Sequence, residues 1–160
     1  MGRIVVGVDE TRVAKDALVW ALAEARLRRS TLEVISCYHA STAWLGLEDS
    51  VGAGVPSDFT QDDLADPTRQ RLAATVAEVA GPDPGVEIVP RAVRGRPADV
   101  LVEASQGADL LVVGSGTHGE LARLLLSSPG RHTVDHAHCP VVVVRGDRHP
   151  AAPPDADRTR

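Results

Sequence analysis

The sequence predicts an α/β fold: a parallel five-stranded sheet with helices on both of its faces. Three observations carry that expectation. Five short runs rich in Val, Ile and Leu alternate with stretches whose apolar residues recur at helical spacing. Such alternation implies parallel strands joined by right-handed crossovers. Hydrophobic residues make up 43% of the chain but aromatic residues only 2%, so the core must be Val, Leu, Ile and Ala. That composition suits a Val-rich sheet covered by Ala/Leu helices. Finally, 160 residues are enough for one domain with a sizeable core.

The elements follow in order. RIVVGV (3–8) is a β-branched strand ended by Asp9. Thr11 is placed to cap a helix whose inward face is Ala14, Ala17, Leu18, Ala21, Leu22 and Ala25. TLEVISCY (31–38) is the second strand. Residues 41–63 have glycines, Pro56 and acidic residues but no period, and so long a connection is usually functional or mobile. The second helix presents Leu64, Thr68, Leu72, Thr75, Val76 and Val79, and GPDPG (81–85) stops it. VEIVPRAV (86–93) is a strand whose Pro90 cannot donate to a ladder, which places it at an edge. Pro97 opens a third helix with Val100, Leu101 and Ala104 inward and Gly107 at its end. DLLVVGS (109–115) is wholly apolar at its centre and reads as a central strand. A helix from about Glu120 to His136 and the strand CPVVVVR (139–145) complete the domain, residues 1–146. Residues 147–160, rich in Pro, Ala and charge, read as a flexible tail.

Composition excludes several classes of function. A net charge of -5 is the wrong sign for a nucleic-acid binder. The chain opens directly into a strand pattern, without the basic-then-apolar start of a secretion signal, and no apolar run approaches the roughly 18 residues of a membrane span. Cys37 and Cys139 form no CxxC pair, so free thiols in a reducing cytoplasm are expected.

Several segments, in order, resemble the universal stress proteins, from about Gly2 to Arg145. IVVGVDETRVAKDALVWALAEARLRRSTLEVI is similar to that family's opening strand, acidic residue, helix and second strand. VRGRPADVLVEASQGADLLVVGS resembles its G-x-P helix start and fourth strand, and HGELARLLLSS with VDHAHCPVVVVR its last helix and strand. The resemblance implies a Rossmann-like, adenine nucleotide alpha hydrolase-like fold with strand order 3-2-1-4-5, and commonly a homodimer. In that order strands one and four are central neighbours, so Asp9 and the turn at Gly114 flank one crevice.

ATP-binding members of that family carry G-x2-G-x9-G-S/T after strand four. Glycine backbones there approach phosphates closely and their N–H groups form an anion nest. In this chain the first glycine is Gly114, but Thr117 and Ser127 fall on the second and third, and Ser128 matches the last position. His118 and Gly119 fit the same run. A register two residues later uses Gly116 and Gly119 but puts Pro129 on the third glycine. The motif is therefore degenerate, and Glu10-Thr11 replaces the usual Gly-Ser after the aspartate. Arg131 could direct a compensating charge at a phosphate.

The residues expected at an adenine nucleotide, ATP or a relative, are Asp9, Cys37, Gly114, Thr117, His118, Gly119, Ser127 and Ser128. Four of them have a plainer account. Asp9 can cap the first helix, Gly114 can serve a tight turn, Ser128 can bond its own backbone, and Cys37 can be an inert buried thiol.

Other constellations are weaker. His132 and His136 are one helical turn apart, with His138 and Cys139 beyond, but no acidic ligand or CxxC joins them, so no metal is expected. A receiver-type phosphoacceptor domain needs carboxylates after strand three and a lysine after strand five, and neither is there. GSGTHG matches G-x-G-x-x-G only after strand four, the wrong place for a dinucleotide fold. No nucleophile–base pair has identifiable spacing. Two readings stay open: a stress-response module that binds adenine nucleotide weakly, and a dimeric scaffold for an unknown protein partner that has lost the nucleotide. Neither is an enzyme. In both, the valines of strand five are the expected homodimer edge.

Overall fold

A computed structural model describes residues 2–38, 65–115 and 134–146. In chain order the elements are β1 (Arg3–Gly7), α1 (Arg12–Arg28), β2 (Thr31–Tyr38), α2 (Ala65–Ala80), β3 (Ile88–Arg94), α3 (Pro97–Ala104), β4 (Leu110–Ser115) and β5 (Val141–Arg145). The five strands form one sheet in the order β3-β2-β1-β4-β5, and every pairing is parallel. Both the class of fold and the strand order agree with expectation. Pro90 lies on an edge strand, opposite Val34 of β2.

Alternation along each strand sends successive side chains to opposite faces. Ile4, Val6, Val8, Leu32, Val34, Leu110 and Val112 face α1 and α2. The inward stripe of α1 is the six residues its sequence spacing picks out, Ala14 through Ala25, all buried. In α2, Thr68 and Leu72 are buried, while Val76 and Val79 pack on the same core from its rim. On the other face Val5, Ile35, Leu111 and Val113 meet Leu101 of α3. Each such fully buried side chain contributes about 1.5–3 kcal/mol relative to exposure. The short helix α3 sits close because β1 ends in a glycine: a Cβ on Gly7 would lie 2.9 Å from Leu101 Cδ1.

At the amino ends of the strands, charges are closed into a network. Glu33, alone among the apolar residues at the centre of β2, has a side chain only 6% exposed. Its two oxygens accept from Arg3 Nη1 and Arg91 Nη1, each at 2.5 Å. The other guanidinium nitrogen of Arg3 donates to the carbonyls of Ala104 and Gln106, at 3.0 and 2.6 Å, satisfying the C-terminal end of α3. Arg3 and Asp109 exchange two further bonds, the backbone N–H of Arg3 to Asp109 Oδ2 at 2.7 Å and that of Asp109 to the Arg3 carbonyl at 2.8 Å. A buried carboxylate is tolerable only when its lone pairs are met this way.

Candidate functional site at the carboxyl ends of the strands

The chain leaves β1 toward β2 and β3 on one side, then returns to build β4 and β5 on the other. The strand order thus reverses between β1 and β4, and the crevice outside their carboxyl ends is where open α/β sheets hold ligands. Three of the expected site residues are brought to this end. Asp9 lies two residues beyond β1, Cys37 is the penultimate residue of β2, and Gly114 is the penultimate residue of β4. Thr117, His118, Gly119, Ser127 and Ser128 lie outside the described residues, as do Arg131, His132, segment 41–63 and residues 147–160.

Asp9 is half-buried. Its Oδ1 accepts from the backbone N–H of Thr11 at 2.9 Å and from the Thr11 hydroxyl at 2.5 Å. That hydroxyl in turn accepts from Ala14 N at 3.3 Å as the N-cap of α1. So the capping role expected of Asp9 is present, but it runs through Thr11 and uses one carboxylate oxygen. Among the described residues, none donates to Oδ2. The first turn of α1 starts beside this oxygen, and the unpaired N–H groups of a helix N-terminus favour negative charge.

Gly114 has a reason that sequence reasoning missed. Its φ is not positive, unlike Gly81, Gly85, Gly95 and Gly107. A Cβ there would sit 2.9 Å from both Cγ1 and the carbonyl oxygen of Val13. At Gly146, just after β5, an added Cβ would be 2.6 Å from Val13 Cγ2. Val13 is therefore seated between two glycines at the ends of β4 and β5, which holds the first turn of α1 against the crevice. The glycine at position 114 is required by packing whether or not a ligand is bound.

Cys37 lies opposite Val93 of β3 and packs, partly buried, on the apolar cluster under α3. Neither cysteine is in a disulfide. Burial pushes the Cys139 thiol above its ordinary value of 9.0; Arg3 opposes that, the Asp109 carboxylate adds to it, and the backbone hydrogen bond with Leu111 opposes it again. The backbone N–H of His138 donates to the buried Ser105 hydroxyl at 2.8 Å, which fits a turn into β5. Among the described residues no group of three His, Cys, Asp or Glu side chains could hold a metal ion, and no helix is long and apolar enough to cross a membrane.

The fold is thus a doubly wound parallel α/β sheet with the carboxylate of Asp9 at its switch point. The sequence pattern described as the universal stress protein family matches residues 1–145. Universal stress protein Rv2624c of Mycobacterium tuberculosis is 34% identical over 150 residues, 91% of this chain and 48% of that protein. Universal stress protein Rv2005c of the same organism is 32% identical over 148 residues, 90% of this chain and 48% of that one. This chain thus spans about half the length of the curated relatives it matches. Among solved structures, a universal stress protein in complex with cAMP superposes with a TM-score of 0.61 at 27% identity, covering 89% of this chain and 96% of that one. One from Archaeoglobus fulgidus in complex with dAMP gives 0.57 at 23% identity, covering 90% and 98%. The chain belongs to the universal stress protein family.

Proposed function

We propose that this protein is a cytoplasmic stress-response module that binds an adenine nucleotide, weakly, in the crevice between β1 and β4, and that it is a binding protein and not an enzyme. The observation that carries this reading is Asp9 Oδ2, an acceptor left without a partner among the described residues at the switch point of the sheet. The cAMP complex of a structural neighbour supports the choice of ligand class. Asp9 accepts from the adenosine, Cys37 lines the base, and Gly114, Thr117, His118, Gly119, Ser127 and Ser128 surround the phosphates. Thr117 and Ser127 put a Cβ where ATP-binding relatives have glycine, and a β-branched residue forced to positive φ costs about 1–2 kcal/mol. Lost from binding, that is roughly tenfold in affinity.

Calorimetry with ATP and AMP tests the reading. Asp9→Asn keeps a capping oxygen and removes the free acceptor, and should weaken binding roughly tenfold. Thr117→Gly with Ser127→Gly should tighten ATP by a similar factor. Absence of heat with either nucleotide, even in the double-glycine variant, would leave the second reading, a dimeric scaffold for a protein partner. Two observations favour that one: packing alone accounts for Gly114, and the edge strand β5 leaves Val143 41% exposed. A homodimer pairing two β5 edges covers those valines in either reading. Sedimentation of the native chain as a monomer would remove that interface.

A further inference from the structure

The two edges of the sheet are unlike. β3 carries Pro90, Arg91 and Arg94 exposed. Proline withholds a donor and a charge resists burial, so this edge is guarded against pairing. β5 is VVVVR, its outer edge is open among the described residues, and Val143 at its centre is exposed. Beside β5, α1 adds a large apolar side chain that stays outside the core. The helix lies across β1, β4 and β5 and runs against their direction. Val13, in its first turn, is seated at the ends of β4 and β5, against Gly114 and Gly146. Residues seven apart share one side of a helix, so Trp20 and Leu27 continue that line down the β5 flank. Lys15 and Arg26, which reach Glu78 and Pro84, mark the other flank, toward α2. Trp20 is 37% exposed, and Leu27 more so. Glu24, between them, is already paired with Arg28.

Trp20 is about 10 Å along α1 from Val13, and Val143 is about 10 Å along β5 from Gly146. The indole and the centre of the strand are therefore level. Two β5 strands paired antiparallel in full register put a two-fold axis at that same level. With α1 centred over β4, it stands three strand spacings, about 14 Å, from its counterpart. Directly packed helices stand about 8–10 Å apart, so ordinary side chains leave this gap open and a pair of indoles fills it. We infer that Trp20 is the anchor of a homodimer: the Trp20 side chains of two copies meet across the two-fold axis, above the half-buried Val142 and Val144 that face α1. This rests on the β5 pairing proposed above and adds to it a helical face and the residue that carries most of the affinity. Tryptophan is the side chain best suited to that role, because it buries the most apolar area.

Sedimentation equilibrium on the full chain over a dilution series tests it. Trp20→Ala should weaken the dimer at least tenfold and keep the native circular dichroism. Val19→Ala removes a more exposed apolar side chain from the α2 flank of the same helix, and should leave the dimer at native strength. Val143→Lys should weaken it as Trp20→Ala does. In Trp44→Phe, Trp20 is the one indole left, and its emission should move to longer wavelength as dilution splits the dimer. A native dimer indifferent to Trp20→Ala, or an emission that stays fixed through dissociation, overturns the inference and leaves β5 pairing standing. Equal weakening by Val19→Ala overturns it too, since no single residue would then be the anchor. A dimer broken by Trp20→Ala but indifferent to Val143→Lys joins through the helices alone, against the arrangement described. A native chain that stays a monomer at high concentration removes the β5 pairing and this inference together.

Discussion

The two ends of the sheet are built on opposite terms. At the amino ends, Glu33 is buried with both oxygens filled by Arg3 and Arg91, and Arg3 also closes the end of α3. At the carboxyl ends, Asp9 has one oxygen filled by Thr11 and the other without a donor among the described residues. Both are carboxylates set by the strands of one domain. The first is satisfied and so can only stabilise; the second keeps a capacity that a ligand can use. Full satisfaction of polar groups is what a folded chain needs, and incomplete satisfaction beside a crevice is what a binding site needs.

That contrast is open to attack from the strongest effect downward. Glu33→Ala removes the buried carboxylate that Arg3 and Arg91 share, leaving guanidinium groups that solvent can reach, and the loss of these charge-assisted hydrogen bonds costs about 1.5–3 kcal/mol. Urea denaturation should show it, with nucleotide affinity unchanged in the fraction that folds; a cost below about 1 kcal/mol, the scale of an exposed pair, would mean that the amino-end network is solvated and idle. Gly114→Ala drives a methyl into the Val13 backbone, and overpacking of this kind costs about 1–3 kcal/mol. Because Gly114 is at the carboxyl end, this change should lower stability and binding together. Unaltered stability would mean that the glycine serves the ligand and not the packing.

The smallest effect concerns Cys139. Burial favours its protonated form in the folded state, so above the ordinary thiol value of 9.0 the unfolded chain holds fewer protons than the folded one. Stability therefore falls as pH rises through the window between 9.0 and the higher folded value. Cys139→Ser should remove that part of the alkaline loss in denaturation followed from neutral pH upward, and iodoacetamide should modify Cys139 more slowly than a small free thiol. Equal rates would place the thiol in water.

Much of this architecture is legible in the amino-acid sequence. The inward face of α1 can be named residue by residue because a 3.6-residue period over 17 residues leaves little freedom. Strand ends are less secure: β3, expected at 86–93, runs Ile88–Arg94, since its limits are set by pairing with β2, Leu32 against Ile88 to Tyr38 against Arg94. Periodicity says nothing about strand order; the family resemblance supplies it. Glu33 is visible as a charge inside an apolar strand, but Arg3 and Arg91 are 30 and 58 residues away in sequence and become neighbours only through that order. At the site, an acidic residue after β1 and a glycine near the end of β4 can be picked out. That Thr11 takes one oxygen of Asp9, or that Val13 is the reason for Gly114, cannot be read from the chain alone. Both depend on where the first turn of α1 docks.

The proposed function assigns ligand recognition to the carboxyl end of the sheet and structural closure to the amino end. Titration of AMP into the isotope-labelled chain, followed by amide chemical shifts, tests this division most directly. The expected result is progressive shifts at Asp9, Thr11, Val13, Cys37 and Gly114, with Arg3, Glu33, Arg91 and Asp109 unmoved. Shifts concentrated at the amino-end network, or none anywhere at millimolar nucleotide, would contradict it.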